Sequence, residues 1–366
     1  MNSDTASPAP RRGFVVRPEG ILAGPSAVRS LERGDALALA GGPLAFTLCE
    51  IAAGDNRVLL PIDQARSWAA RVGHGQDMTA AMARLTAPRP SFAGISVNRP
   101  RLMGVVNVTP DSFSDGGDFA DATRAIEHGV ALREAGADIL DIGGESTRPR
   151  AEPVALEEEL RRVIPVVHAL SQAGAVVSID TRRGEVMKAA IAAGARIVND
   201  VTALTGERDS LDIVAASGVA VVLMHMKGDP RHMQENPSYA DAPREIRDFF
   251  VERLAACADA GISTGRIAVD PGIGFGKNDR HNIEVLQNLG LFHELGVVLL
   301  LGVSRKSFIA RLSRKEPPKQ RLAGSLAAGL AGLDRGVQIL RVHDVAEMRQ
   351  ALAIWQALAG GVSSQP

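Results

Sequence analysis

Asp180, Asn199 and Asp270 could together grip one flat, N–H-rich ring. Each closes a short apolar run: "VVSID" (176–180), "RIVND" (196–200) and "IAVDPG" (267–272). Ionised carboxylates only accept hydrogen bonds, whereas an amide both donates and accepts. Other runs end in cations or potential cations: Lys306 in "SRKS", Arg341 and His343 in "RVHD", and Arg148 in "STRP". Such groups suit phosphate oxygens or a ring carbonyl. One pocket holding both sets would take a phosphorylated or pyrophosphorylated heterocycle. The residue types leave the ring itself open.

The elements that must bring these side chains together are repetitive. Runs of four to seven apolar or β-branched residues recur at 102–108, 138–144, 176–180, 196–200, 220–225, 267–272, 297–303 and 338–344. Near-continuous apolar runs suit strands buried on both faces of a parallel sheet. The stretches between them carry helical spacing, as in Leu160, Val163, Ile164, Val167 and Leu170. Gly136, Gly174, Gly194, Gly218 and Gly261 follow such stretches, where a helix ends in a left-handed residue. Eight strand–helix units over roughly 260 residues predict a (β/α)8 barrel, whose strand C-termini converge on one mouth. The runner-up is an open doubly wound sheet, which ranks lower because no GxGxxG follows the first strand. A strand-end Asp or Asn alone is often a turn former or helix cap. Polar groups at all eight ends are harder to explain that way.

Residues 1–13 read as a disordered tail, 14–98 as a small α+β appendage of unknown role, and 99–366 as the barrel. Within the appendage, 35–51 and 57–62 predict strands and 62–73 a helix, and the proline-bearing 86–101 reads as a connector. A net charge of -1 gives no reason to expect nucleic acid or an anionic membrane as partner. No run approaches 18 apolar residues and no secretory h-region opens the chain, so a cytoplasmic protein is expected. Cys49 and Cys257 form no cluster and read as buried, inert thiols. His225 reads as a packed or loop-bracing residue, Lys277 as a brace of its glycine-rich loop, and His74, His128, His168 and His293 as surface or satisfied groups.

The segments "MGVVNVTPDSFSDGG" (103–117), "ADILDIGGESTRP" (137–149), "SIDTRRGEVMKAAIAAGARIVNDV" (178–201), "LMHMKGDPRHMQ" (223–234), "VDPGIGFGKN" (269–278), "GVSRKSFIARL" (302–312) and "QILRVHDVAEMRQAL" (338–352) closely resemble dihydropteroate synthases. The resemblance spans about 102–358 and none of the first hundred residues. It implies a (β/α)8 fold and an enzyme that joins 6-hydroxymethyl-7,8-dihydropterin pyrophosphate to p-aminobenzoate on the folate route, a sulfonamide target. It implies that Asp180, Asn199, Asp270, Lys306 and Arg341 bind the pterin. Asn107, Arg341 and His343 would meet the pyrophosphate, with Mg²⁺ on the Asn107 amide. In the first loop, Phe113 would pack on the aminobenzoate ring and Asp115 would order the closed state. Thr147, Arg148, Pro149, Phe275 and Ser307 would line the aminobenzoate pocket. Arg150 stands where such synthases carry glycine, so this second loop either takes another conformation or adds charge at the pocket. A homodimer is the default.

Such chemistry needs no nucleophilic side chain. Anion stabilisers would support departure of pyrophosphate before the aniline nitrogen attacks. Two other functions share parts of this pattern. A corrinoid-type pterin methyltransferase would use the pterin acids without "SRKS", "DSFSDGG" or "RVHD". A non-catalytic pterin-binding homologue would not need every anion-side residue.

Overall fold

A computed structural model of the chain describes residue 10 and residues 13–54, 56–108, 118–145, 154–228 and 232–360. The expected tail over 1–13 falls outside these, apart from Pro10 and Gly13.

The first part is built on a four-stranded antiparallel sheet. Its central strand β3 (Ala45–Ala53) pairs with β1 (Phe14–Leu22) on one side. On the other side lie β2 (Leu37–Ala38) and β4 (Asn56–Pro61). Three helices accompany it: α1 (Gly24–Arg33), α2 (Ile62–Arg71) and α3 (Gly75–Thr86). α2 and the strands at 45–53 and 56–61 lie in the stretches picked out by pattern; β1, α1 and α3 were not singled out.

Eight strands then close a parallel barrel: β5 (Arg101–Asn107), β6 (Ile139–Gly143), β7 (Val177–Asp180), β8 (Ile197–Asp200), β9 (Ala220–Met224), β10 (Ile267–Asp270), β11 (Val298–Leu301) and β12 (Ile339–Val342). All eight coincide with the apolar runs. The closed ring settles the choice against the open sheet. Around it run α4 (Asp118–Glu134), α5 (Leu156–Gln172), α6 (Gly184–Ala192), α7 (Ser210–Ser217), α8 (Ala242–Asp259), α9 (Asp279–Gln287), α10 (Ser307–Leu312), α11 (Leu322–Leu333) and α12 (Val345–Gly360). Gly136, Gly174, Gly194, Gly218 and Gly261 all take positive φ, as a left-handed helix end requires. α8 starts on Asp241, whose carboxylate accepts from Arg244 N at 3.2 Å. Asp241→Ala is expected to cost about 1 kcal/mol, read by chemical denaturation.

Side chains alternate across each barrel strand. Leu102, Val106, Leu140, Ile142, Val177, Ile179, Val198, Val221, Leu223, Val269, Leu299, Leu301 and Leu340 join the helices in the main core. The opposite set (Met103, Ile139, Ile197, Ala220, Val222, Ala268, Val298, Leu300 and Ile339) forms a second apolar cluster inside the barrel. Phe92, fully buried, belongs to this inner cluster. The proline-bearing connector therefore supplies the plug of the barrel floor.

The first part docks through buried charge. Arg247 of α8 is fully buried and donates to Glu294 Oε1 (3.0 Å) and to the Phe14 carbonyl (3.4 Å). Arg84 of α3 donates to the Glu294 carbonyl at 2.6 Å, and Val16 N reaches Glu294 Oε2 at 3.4 Å. Arg89 donates to the carbonyls of His293 (2.9 Å) and Val297 (3.0 Å). Buried cations are tolerable only when paired in this way. His293, expected as a surface or satisfied group, is fully buried and its Nε2 bonds the Arg335 carbonyl at 2.7 Å, while its Nδ1 has no partner among the described residues.

Candidate active site

Strand parity selects what enters the barrel. Asn107, Asp141, Asp180, Asn199, Asp270 and Arg341 share parity with the inner apolar cluster of their strands or continue the alternation of its register partners, so they cap that cluster on the mouth side. Asp200, one residue past Asn199, has the other parity. It is fully buried and accepts from Thr202 N and Leu204 N, both at 2.8 Å. One run thus ends in an inward amide followed by a turn-forming carboxylate.

The inward groups form one web. Arg341 donates through Nε to Asp141 Oδ2 (2.6 Å) and through Nη2 to Asp180 Oδ2 (2.7 Å). Asn199 donates Nδ2 to the same Asp141 Oδ2 at 3.0 Å. Asp270 accepts from Gly272 N at 2.8 Å, and its Oδ2 lies beside Gly302, next to Arg341. Lys306 sits over the Phe275 ring, 4.1 Å from its centre, which is a favourable cation–π position. Gly143 borders Asp180, Gly302 borders Asp270, and Gly274 borders the Lys306 stem. At each of these glycines a Cβ would come within 3.4–3.6 Å of the web side chain it borders, so glycine keeps the wall of the web thin.

Burial and charge tune the web. Burial pushes the Asp180 carboxyl up to about 7 against the pull of Arg341, with Asp141 adding to the rise. Burial also raises Asp270 and lowers Lys306 to about 8, the latter opposed by Asp270. Arg341 stays firmly protonated between its carboxylates despite burial. His343 bonds the Ser304 hydroxyl through Nδ1 at 3.0 Å. Burial and the nearby Arg341 hold its pKa down at about 3, so at neutral pH it is an uncharged imidazole.

A second layer fixes the loops. Lys277 is fully buried and donates to the carbonyls of Gly272 (2.9 Å) and Phe275 (3.0 Å). It also meets His225 Nδ1 at 3.0 Å. Burial holds Lys277 at about 7 and His225 at about 2. The loop passes so close to residues 225–227 that a Cβ at Gly272 would lie 2.0 Å from the His225 carbonyl oxygen. At Gly276 it would lie 2.1 Å from that of Lys227. Both glycines have positive φ, so no other residue fits there. Arg305, at φ 59, donates Nε to Asp344 (3.0 Å) and ties the "SRKS" loop to the end of β12.

The sequence profile of the pterin binding enzyme family matches residues 103–343. A dihydropteroate synthase of Escherichia coli is 45% identical over 264 residues, which cover 72% of this chain and 93% of that protein. The chain belongs to the dihydropteroate synthase family of pterin-binding enzymes. A solved Xanthomonas albilineans dihydropteroate synthase with 4-aminobenzoic acid is 50% identical, with a TM-score of 0.69, covering 76% of this chain and 99% of that one. The same organism's enzyme in complex with 7,8-dihydropteroate matches at 48% identity and a TM-score of 0.67, over 76% and 100% of the two chains.

Of the residues singled out from the family resemblance, Asp180, Asn199, Asp270, Lys306 and Arg341 converge on the web. His343 stands beside it on Ser304, and Phe275 faces Lys306. Asn107 closes β5, half-buried and in register with Gly143. Ser307 opens α10 and is exposed. Phe113, Asp115, Thr147, Arg148, Pro149 and Arg150 lie outside the described residues. Asp141, within the apolar run 138–144, belongs to the web as well, and two of its members bond to it. Its in-strand position, two residues before Gly143, was the available signal. Clefts near Leu44 and Gln338, and near Arg17 and Arg335, contain none of the web residues.

Proposed function

We propose that this chain condenses 6-hydroxymethyl-7,8-dihydropterin pyrophosphate with p-aminobenzoate, giving 7,8-dihydropteroate and pyrophosphate. The observation that carries the reading is the web itself: three inward carboxylates, an amide, a lysine and a bridged arginine gathered at the mouth of one barrel. In this reading Asp180, Asn199 and Asp270 bond the pterin edge, Lys306 its carbonyl side, and Arg341 its ring face. A guanidinium can stack on a π face while it also touches an anion. Arg341 and the His343 imidazole stabilise the pyrophosphate; His343 contributes a hydrogen bond without a charge. Phe275 and Ser307 flank the aminobenzoate, together with Phe113, Thr147, Arg148 and Pro149, and Asp115 orders the first loop.

The C–O bond to pyrophosphate breaks with its electron pair leaving on oxygen. The aniline nitrogen gives its lone pair to the exocyclic methylene carbon and then loses a proton to solvent. Charge stabilisation at the departing oxygens supplies the acceleration. Among the described residues no three His, Cys, Asp or Glu side chains cluster to enclose a metal. They fit Mg²⁺ only as an ion that arrives on phosphate oxygens and takes the Asn107 amide as one more oxygen ligand. Bound there, the ion would neutralise charge on the pyrophosphate.

The assay is pyrophosphate release with both substrates. Release that needs both is expected. Methyl transfer to a corrinoid protein, or pterin binding with no release, would overturn the reading in favour of the two alternatives. We also read the chain as a cytoplasmic homodimer. Ile354 and Leu358 of α12 are 63% and 73% exposed, and a second copy would cover them. Light scattering that returns the monomer mass would sink that part. Among the described residues, no helix is long and apolar enough to cross a membrane.

A further inference from the structure

The reading above uses the carboxylates of β7 and β10 and leaves a third, deeper one unassigned. Asp141 lies within β6, fully buried, in register with Val105 and Ser178. Its Oδ2 receives both Arg341 Nε and Asn199 Nδ2, and its Oδ1 has no hydrogen-bond partner among the described residues. A carboxylate can only accept, so the Asn199 amide must turn its nitrogen inward to Asp141. Its carbonyl oxygen is thereby left for a ligand. Arg341 offers two donors to two carboxylates, one on β6 and one on β7. Asp141 is the partner set deeper in the barrel, so it can hold the guanidinium while Asp180 turns to a ligand.

We propose that Asp141 is a positioning residue, which fixes the guanidinium of Arg341 and the amide orientation of Asn199 through one oxygen. It would touch no substrate. The inference rests on the proposed pterin site and adds what keeps that site in order before the pterin arrives. A misplacement of about 1 Å in such groups costs on the order of 100-fold in rate.

The test is Asp141→Asn, close in size but uncharged, in the full-length chain. We expect kcat/KM for the pterin pyrophosphate to fall roughly 100-fold. Affinity for 6-hydroxymethylpterin, measured by calorimetry, should weaken in parallel. KM for p-aminobenzoate at saturating pterin should stay within about twofold, because a local positioning change leaves that pocket alone. In an Arg341→Met background the same change should cost less than about threefold, since residues acting as a unit are not additive. Wild-type pterin affinity in D141N, or an undiminished loss in the Arg341→Met background, would overturn the proposal. Should D141N not fold, Asp141→Ser carries the same comparison. If neither folds, the carboxylate holds the barrel and the proposal fails. A wild-type chain that binds the pterin without releasing pyrophosphate sinks the reaction reading alone, and the affinity comparison still decides Asp141. A chain that does neither sinks both.

Discussion

Arg341→Met is expected to lower kcat/KM for pyrophosphate release by roughly 1000-fold, at the upper end for losing one preorganised charge stabiliser. Arg341 bonds to Asp141 and Asp180 together. Its loss would leave two neighbouring carboxylates in a buried site with no cation between them, and one of them would take up a proton. The wild-type profile should rise with pH through about 7 as Asp180 ionises and becomes a full acceptor. Arg341 pulls that value down, so the variant's midpoint moves up. Stability runs the opposite way with pH. The Asp180 carboxyl is raised above its unfolded value. Its contribution is therefore fully present below the unfolded pKa and is lost as pH rises through about 7. In the variant that loss should extend to higher pH. Steady-state rates across this range read the first claim and melting temperatures the second. An unchanged midpoint with unchanged kcat/KM would refute both.

Lys277→Met is expected to destabilise the fold by about 3 kcal/mol, read by denaturant titration. Methionine replaces the buried stem, yet it leaves three carbonyls and the His225 ring nitrogen without this donor. The loop they fix carries Phe275. The deficit should depend on pH with a defined sign. Burial holds Lys277 at about 7 in the fold, below its value in the unfolded chain. Between the two values only the unfolded state takes the proton, so the wild type loses stability as pH falls across that window. The methionine variant lacks this slope. Its deficit should therefore be largest at alkaline pH and smallest below about pH 7. A deficit that grows toward acid would mean that the ammonium is favoured by its cage.

The barrel was legible because each of its strands is a mostly apolar run and five of its helices end on a left-handed glycine. The mouth was legible because acids, amides and cations gather at the C-terminal ends of those runs. Asp141 was harder to see. A carboxylate inside an apolar run gives no sign of its partner, and here the partners stand on strands 58 and 200 residues away. Lys277 read as a brace of its own loop, but its bond to His225 crosses 52 residues. The reading of His343 as a potential cation rested on residue type. Burial beside Arg341 makes it neutral, and only packing reveals that. In the first part, β1 carries a proline and two charges and so lacks a clean alternation. Phe92 sits among prolines that mark a linker, and its role as a floor plug depends on the barrel it enters.

The charged dock of the first part also sets an order of events during synthesis. Arg84 and Glu294 are 210 residues apart. At roughly 5–20 residues per second a ribosome needs on the order of 10–40 s to make that stretch. β1, β3 and β4 can pair long before then, because every strand partner they need is local. Arg84 must keep its hydration until Glu294 emerges, so the leading segment reaches its final seat only after the chain through β10 and α9 has been made.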